Sequence, residues 1–111
     1  MKRTPRPGAP VRGSKTGRPI MVLLDLLGRR WALRIIWELS QRGLTFRDLQ
    51  AACGNISPTI LNTRLAELRD ADIVAATNAG YELTTEGKAL LKEFIGLHTW
   101  AERWAKRSRT P

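Results

Sequence analysis

Polar residues that can exchange hydrogen bonds with a nucleic acid are concentrated between residues 57 and 64. They are Ser57, Thr59, Asn62, Thr63 and Arg64. Hydroxyl and amide groups both donate and accept hydrogen bonds, which suits the edges of nucleobases and the oxygens of phosphates. The lysine and glutamate that usually solvate a helix surface are absent from residues 57–63. We therefore interpret this stretch as a candidate surface for DNA contact, although many surface helices also carry threonine.

A single amphipathic helix over residues 57–70 is predicted to position these groups. Ser57 is a preferred N-cap residue, and Pro58 fits the first helical position. Leucines at helical spacing form the stripe that we expect to be buried, namely Leu61, Leu65 and Leu68. At about 100° per residue, the opposite face holds Thr59, Thr63, Ala66 and Asp70, with Asn62 on one flank. The polar face is thus predicted to point away from the core.

Two further residues, Thr45 and Arg47, extend the candidate surface, and Arg64 lies at its border. Thr45 can cap the preceding helix, and Arg47 follows in its first turn. Arg47 is a candidate phosphate contact, although a solvated surface arginine is the alternative. Arg64 lies nearer the buried edge than Thr63 does. It either reaches a phosphate, the role we favour, or locks the helix to the domain through a buried ion pair.

The elements around this helix predict a mainly α-helical domain with a small β-hairpin. The predicted helices cover residues 19–28, 29–43, 45–54, 57–70 and 85–107, and the hairpin covers 72–84. Two short helices joined by a glycine turn can project the second into a major groove, which is about 12 Å wide. This order of elements is that of a winged helix-turn-helix.

The charge of the chain favours a polyanionic partner. The 111 residues suit one small domain, and the formal charge is +9. Residues 1–18 carry only basic charges among Pro, Gly and Ser, so we predict a disordered basic N-terminal arm. This arm either touches DNA or acts as a solubilising tail. The remaining chain divides into a domain over 19–105 and a basic tail over 106–111.

Several function classes are disfavoured by composition. One cysteine, Cys53, and one histidine, His98, cannot form a tetrahedral zinc site, so we expect no metal and no cofactor. Cys53 reads as a small buried residue rather than a redox sensor. The apolar run at 20–28 is interrupted by Asp25 and is too short to cross a bilayer. The single cysteine and the absence of a signal-peptide cleavage site after this run lead us to expect a cytoplasmic protein. Without a phosphate loop or a nucleophile–base pair, we expect that it is not an enzyme.

The motifs of this chain resemble those of HxlR-type winged helix-turn-helix regulators. The segments "LLDLLGRRWALRIIWEL", "LTFRDLQ", "ISPTILNTRLAELRDADIV" and "YELTTEGKALL" follow in the family's order and spacing, over about residues 19–104. The resemblance implies a bacterial cytoplasmic transcription regulator that binds double-stranded DNA as a two-fold homodimer, often as a repressor. Dimerisation would use helices 19–27 and 86–105. It assigns Ser57, Thr59, Asn62, Thr63 and Arg64 to the recognition helix.

Two features depart from the family pattern. Many members carry a cysteine before the proline that opens the first helix, whereas Arg18 precedes Pro19 here, so thiol sensing at that position is unsupported. The wing sequence "ATNAG" is short and uncharged, which leaves wing insertion into the minor groove in doubt. The four tryptophans are expected in the core or an interface rather than in a ligand pocket.

The sequence therefore favours a sequence-specific regulator of transcription with residues 57–70 in the major groove. One alternative is a non-specific nucleic-acid or nucleoid-binding protein that relies on charge. The other is a winged-helix module that binds a protein. An effector, if one exists, is not identified by any motif.

Overall fold

The computed structural model describes residues 17–109. The five helices are α1 (Pro19–Leu27), α2 (Ala32–Glu38), α3 (Phe46–Ala52), α4 (Pro58–Asp70) and α5 (Thr85–Arg109). The strands β1 (Val74–Thr77) and β2 (Gly80–Leu83) form an antiparallel hairpin between α4 and α5. This confirms the predicted mainly α-helical fold with a winged hairpin. Of the arm predicted over residues 1–18, residues 1–16 lie outside the described residues.

The predicted second helix was too long at both ends. Trp31 has a φ of 77°, a left-handed conformation that a helix cannot contain, so α2 begins at Ala32. Residues 29–31 form a turn instead. The helix ends at Glu38, before the serine and glycine that the prediction included. At the other end of the chain, α5 continues through Arg109, so residues 106–109 of the proposed tail are helical.

A single core holds these elements together. The aliphatic residues that the periodicity placed inward are almost fully buried: Ile35, Ile36, Leu49, Leu61, Leu65 and Leu68. Cys53 is buried among them, as predicted. The helices and the hairpin therefore share one apolar interior, which fixes the position of α4.

The hairpin is attached to the helix-turn-helix through backbone contacts. Val74 pairs with Leu83 and Thr77 with Gly80, which leaves a two-residue turn. Leu44 forms a bridge to Tyr81, with N–O distances of 2.9 and 2.8 Å. Gly80 has a φ of 136°, and a Cβ atom there would overlap the Leu44 carbonyl. The close approach of the wing to the start of α3 therefore requires glycine.

Candidate nucleic-acid interface

Local hydrogen bonds define the helix-turn-helix. The Thr45 hydroxyl accepts the backbone N–H of Asp48 at 3.1 Å and caps α3. Gly54 and Asn55 both have positive φ values, 70° and 60°, and reverse the chain before α4. The Gln50 amide donates to the Ile56 carbonyl at 2.9 Å and closes this turn. The sequence indicated the Thr45 cap and Gly54, but the roles of Gln50 and Asn55 were not predicted.

The recognition-helix candidate has the predicted orientation. Ser57 caps α4, and its hydroxyl accepts the Ile60 N–H at 3.4 Å. The leucine stripe is buried, whereas Thr59, Asn62 and Thr63 are exposed. The burial of the leucines accordingly directs the polar face of α4 to the outside of the domain.

The exposed side chains differ in what they can offer a base. The Thr63 hydroxyl donates to the Thr59 carbonyl of its own helix at 2.9 Å. Because its proton is used in this bond, the Thr63 oxygen remains available mainly as an acceptor. Asn62 offers both an amide donor and a carbonyl acceptor. The face combines hydrogen-bonding groups of both polarities with small apolar contacts.

Arg64 binds other groups of the domain, which is the role we considered but did not favour over phosphate contact. Its Nε donates to the backbone carbonyl of Arg30 at 2.7 Å, and Nη1 donates to Glu67 Oε1 at 2.9 Å. The Arg64 side chain is only 21% exposed. These contacts are those of a residue that anchors the helix to the domain.

Two exposed arginines that could add to this face lie outside α4, Arg30 in the α1–α2 turn and Arg47 at the start of α3. Arg47 and Thr45 are exposed at the start of α3. Arg30 is exposed next to the site where Arg64 binds, and its guanidinium lies 5.6 Å from the centre of the Trp31 ring. Sequence reasoning missed Arg30, because only the fold brings the α1–α2 turn to α4. The wing carries no charged residue between Val74 and Tyr81.

Large apolar side chains are exposed on α1 and on more than one side of α5, and together they are called the apolar surface here. Its large exposed side chains are Ile20, Leu24, Ile95, Leu97, Trp100 and Trp104. The Trp100 and Trp104 rings are stacked, with their centres 5.7 Å apart and an angle of 14° between the ring planes. A cavity of about 360 Å³ opens between α2 and α5. Trp37 and His98 line it, and the centres of their rings are 5.3 Å apart. Trp31 packs against the core, and the other three tryptophans are exposed.

Within residues 17–109, none of the helices has the length and apolar character needed to cross a membrane. Within the same residues, no group of three or more His, Cys, Asp or Glu side chains could hold a metal ion. Burial raises the pKa of the Cys53 thiol above its ordinary value of 9.0, against a smaller lowering by Arg34.

The helix-turn-helix formed by α3 and α4, followed by the hairpin, defines a winged helix-turn-helix protein. The family profile described as HxlR-like helix-turn-helix matches residues 26–109, and the chain belongs to that family. This confirms the resemblance seen in the sequence. Members of the class act on transcription, so the chain is a transcriptional regulator of the HxlR-like winged-helix type.

Individual relatives agree with this assignment. The HTH-type transcriptional regulator YvaP of Bacillus subtilis is 32% identical over 88 residues, which cover 73% of this chain and 82% of YvaP. The quinone-bound structure of YodB from B. subtilis has a TM-score of 0.71 at 32% identity, over 77% of this chain and 97% of YodB. A possible HxlR family transcriptional factor from Thermoplasma volcanium gives 0.67 at 26% identity, over 76% and 82%.

Proposed function

We propose that the protein is a sequence-specific regulator that binds double-stranded DNA as a two-fold dimer and represses transcription. The observation that carries this proposal is the uncharged polar face of α4, which the buried leucine stripe directs outward. Membership of a family of transcriptional regulators supports the same conclusion. We place the activity in the bacterial cytoplasm, where the chromosome lies.

The dimensions of α4 suit a major groove. Its 13 residues span about 20 Å, and an α-helix with side chains is about 10–12 Å across. The groove is about 12 Å wide. Asn62 can make a pair of hydrogen bonds with adenine, and the Thr63 methyl can contact a thymine methyl. Thr59 is placed to meet the next base or the sugar-phosphate backbone.

Phosphate contacts are assigned to the rim of this face. Arg47, Thr45 and Ser57 lie on the two helices that would border the groove. The two hydroxyls already accept the capping N–H groups, but each retains its own O–H as a donor. We add Arg30 on account of its position beside α4. The formal charge of +9 supports steep salt dependence.

The dimer is assigned to the apolar surface on α1 and α5. Isolated apolar side chains are normal on a small domain, but several large ones exposed together, such as the stacked Trp100 and Trp104, are typical of an interface. In a two-fold dimer the same surface is used twice. The two α4 helices would then meet half-sites separated by one helical turn of DNA or a multiple of it.

Selection of duplexes from a random pool, read at two salt concentrations, tests this proposal. We expect a motif with two-fold symmetry. Thr63→Ala and Asn62→Ala should each relax the preference at particular base pairs. For Asn62→Ala, the lost bidentate contact should cost about 1–3 kcal/mol of discrimination. Arg47→Ala should weaken all duplexes alike and reduce the slope of log K against log salt by about 0.9.

Thr99→Ala is the matched control for Thr63→Ala. Thr99 is an exposed threonine on α5, and its hydroxyl also donates to the carbonyl four residues earlier, at 3.2 Å. It lies on α5, which the proposal assigns to the dimer and not to DNA, so the comparison is made with a Thr99→Ala protein that dimerises like the wild type. Equal affinity of the wild type for selected and random duplexes would overturn sequence specificity and favour charge-driven binding. Absence of DNA binding would favour a protein-interaction module.

A further inference from the structure

A buried ionic cluster connects α4 to the turn that follows α1. Glu67 lies on the inward side of α4 and is only 7% exposed. Its Oε2 accepts Nη1 of Arg29, and its Oε1 accepts Nη1 of Arg64 at 2.9 Å. Both carboxylate oxygens are thus engaged by arginines from two different parts of the chain. The outward face of α4 is not involved in any of these contacts.

The cluster reaches further on both sides. Nη2 of Arg29 lies 3.4 Å from Oδ2 of Asp25, which belongs to α1. On the other side, Nε of Arg64 donates to the Arg30 carbonyl at 2.7 Å. A chain of contacts therefore runs from α1 through Arg29, Glu67 and Arg64 and returns to the α1–α2 turn.

The turn that receives Arg64 has an unusual backbone. Trp31 directly follows the Arg30 carbonyl and has a φ of 77°, which costs a bulky residue free energy. Such a conformation persists only where surrounding contacts determine it. The Arg64 hydrogen bond is one such contact. The turn and α4 accordingly hold each other in place.

Apolar packing alone would leave the orientation of α4 less well defined. Burial of the leucine stripe is favourable but non-directional, so it permits small rotations and shifts of the helix. Charge-assisted hydrogen bonds to both oxygens of one carboxylate have a narrow geometry. They fix both the rotation and the tilt of α4 relative to α1.

We propose that Glu67, with Arg29 and Arg64, is a positioning cluster that sets the angle of α4 relative to α1 and thereby the half-site spacing that the dimer accepts. The proposal rests on the proposed function, because α1 belongs to the surface assigned to the dimer. Glu67 is a positioning residue and touches no base. One added base pair rotates a half-site by about 35° and shifts it by about 3.4 Å. A rigid pair of helices cannot follow that change, whereas loosened helices can.

Glu67→Gln is the principal test, because it keeps the shape and removes the charge. The amide offers one acceptor and turns an NH₂ group toward an arginine, so one arginine loses its partner. The measured quantity is the affinity ratio between duplexes with the selected spacing and duplexes with one base pair more or fewer. We expect this ratio to fall about fivefold or more, with the salt slope unchanged. A merely structural role would lower the folded fraction and leave the ratio constant.

Glu38→Gln is the matched control. Glu38 accepts Nε of Arg34 at 2.6 Å, in an ion pair on α2 that does not involve α4. It should leave the spacing ratio at the wild-type value. Should Glu67→Gln fail to fold, Arg64→Lys and Asp25→Asn replace it, since each removes an outer contact of the cluster. A folded cluster variant that retains the wild-type ratio overturns the proposal.

A DNA-free measurement separates this proposal from the proposed function. Residual dipolar couplings of the backbone amides report the orientation of α4 relative to α1 and α2 in the free protein. In the wild type, one alignment should fit all three helices. In Glu67→Gln, or in Arg64→Lys and Asp25→Asn, the couplings of α4 should require an alignment different from that of α1 and α2. If the wild type binds no DNA but the couplings of the variants change as expected, the proposed function is refuted and the positioning role of the cluster is still supported. Unchanged couplings in the variants refute the positioning role.

Discussion

Removal of the Trp104 ring should dissociate the proposed dimer. Trp104 is 58% exposed and Trp100 is 50% exposed, and the two rings stack on the outer part of α5. Large aromatic side chains bury about 150–250 Å² each when fully covered. The exposed part of Trp104 therefore leaves on the order of 100 Å² for an interface to cover.

The size of the effect follows from symmetry. At about 25 cal/mol per Å², the exposed part of one ring is worth about 2.5 kcal/mol. A two-fold interface contains the ring twice, so the two substitutions together remove about 5 kcal/mol as an upper value. Imperfect coverage and lost side-chain freedom reduce this figure. We expect Trp104→Ala to raise the dissociation constant of the dimer at least about a hundredfold.

Sedimentation equilibrium over a wide concentration range measures this constant, with far-UV circular dichroism to show that the variant is folded. Ile60→Ala is the control, since Ile60 is also exposed, at 39%, but lies on α4. It should leave dimerisation unchanged. A folded Trp104→Ala protein with the wild-type dissociation constant would show that this surface is not the interface.

Two further predictions concern stability. Gly80→Ala should destabilise the domain by at least about 2 kcal/mol in urea unfolding, because of its positive φ and the overlap with the Leu44 carbonyl. Gly96→Ala, on α5 with no atom within 4 Å of the added Cβ, should instead stabilise by about 0.5–1 kcal/mol, and an equal loss in both would contradict the argument. The raised pKa of Cys53 keeps the thiol neutral in the folded state after the unfolded chain has begun to ionise. The free energy of unfolding should therefore fall as the pH rises above 9.0. In Cys53→Ala this free energy should fall less steeply with pH, and parallel curves for the variant and the wild type would contradict the prediction.

The parts of the fold that the sequence predicted are those with local causes. The caps at Thr45 and Ser57, and the leucine stripe of α4, depend on residues three or four positions apart, and such spacing is visible in a sequence. The start of α2 depends instead on the left-handed conformation of Trp31. No residue type signals that conformation there, because tryptophan is disfavoured in it.

Arg64 shows why the candidate site was harder to predict than the fold. Its helical position was assigned correctly, at the edge of the buried stripe. The Arg30 carbonyl is 34 residues away in the chain, and only the tertiary structure brings it within 2.7 Å. Glu67 likewise reads as an ordinary solvated acid until Arg29 is placed beside it. Long-range partners of charged groups leave no periodic signal.

The distribution of charge on α4 separates the sources of affinity and specificity. The outward positions Thr59, Asn62, Thr63 and Ala66 are uncharged, and the one charge on that face is the acidic Asp70 at the end of the helix. At mid-helix, Arg64 pairs with the buried Glu67. Attraction to phosphates must then come from residues outside this face, such as Arg30 and Arg47. Salt should therefore change the affinity for every duplex by a similar factor, while the preference among bases stays constant. Moving a lysine onto the outward face should raise affinity for all sequences and reduce the discrimination that we propose for the hydroxyl and amide groups.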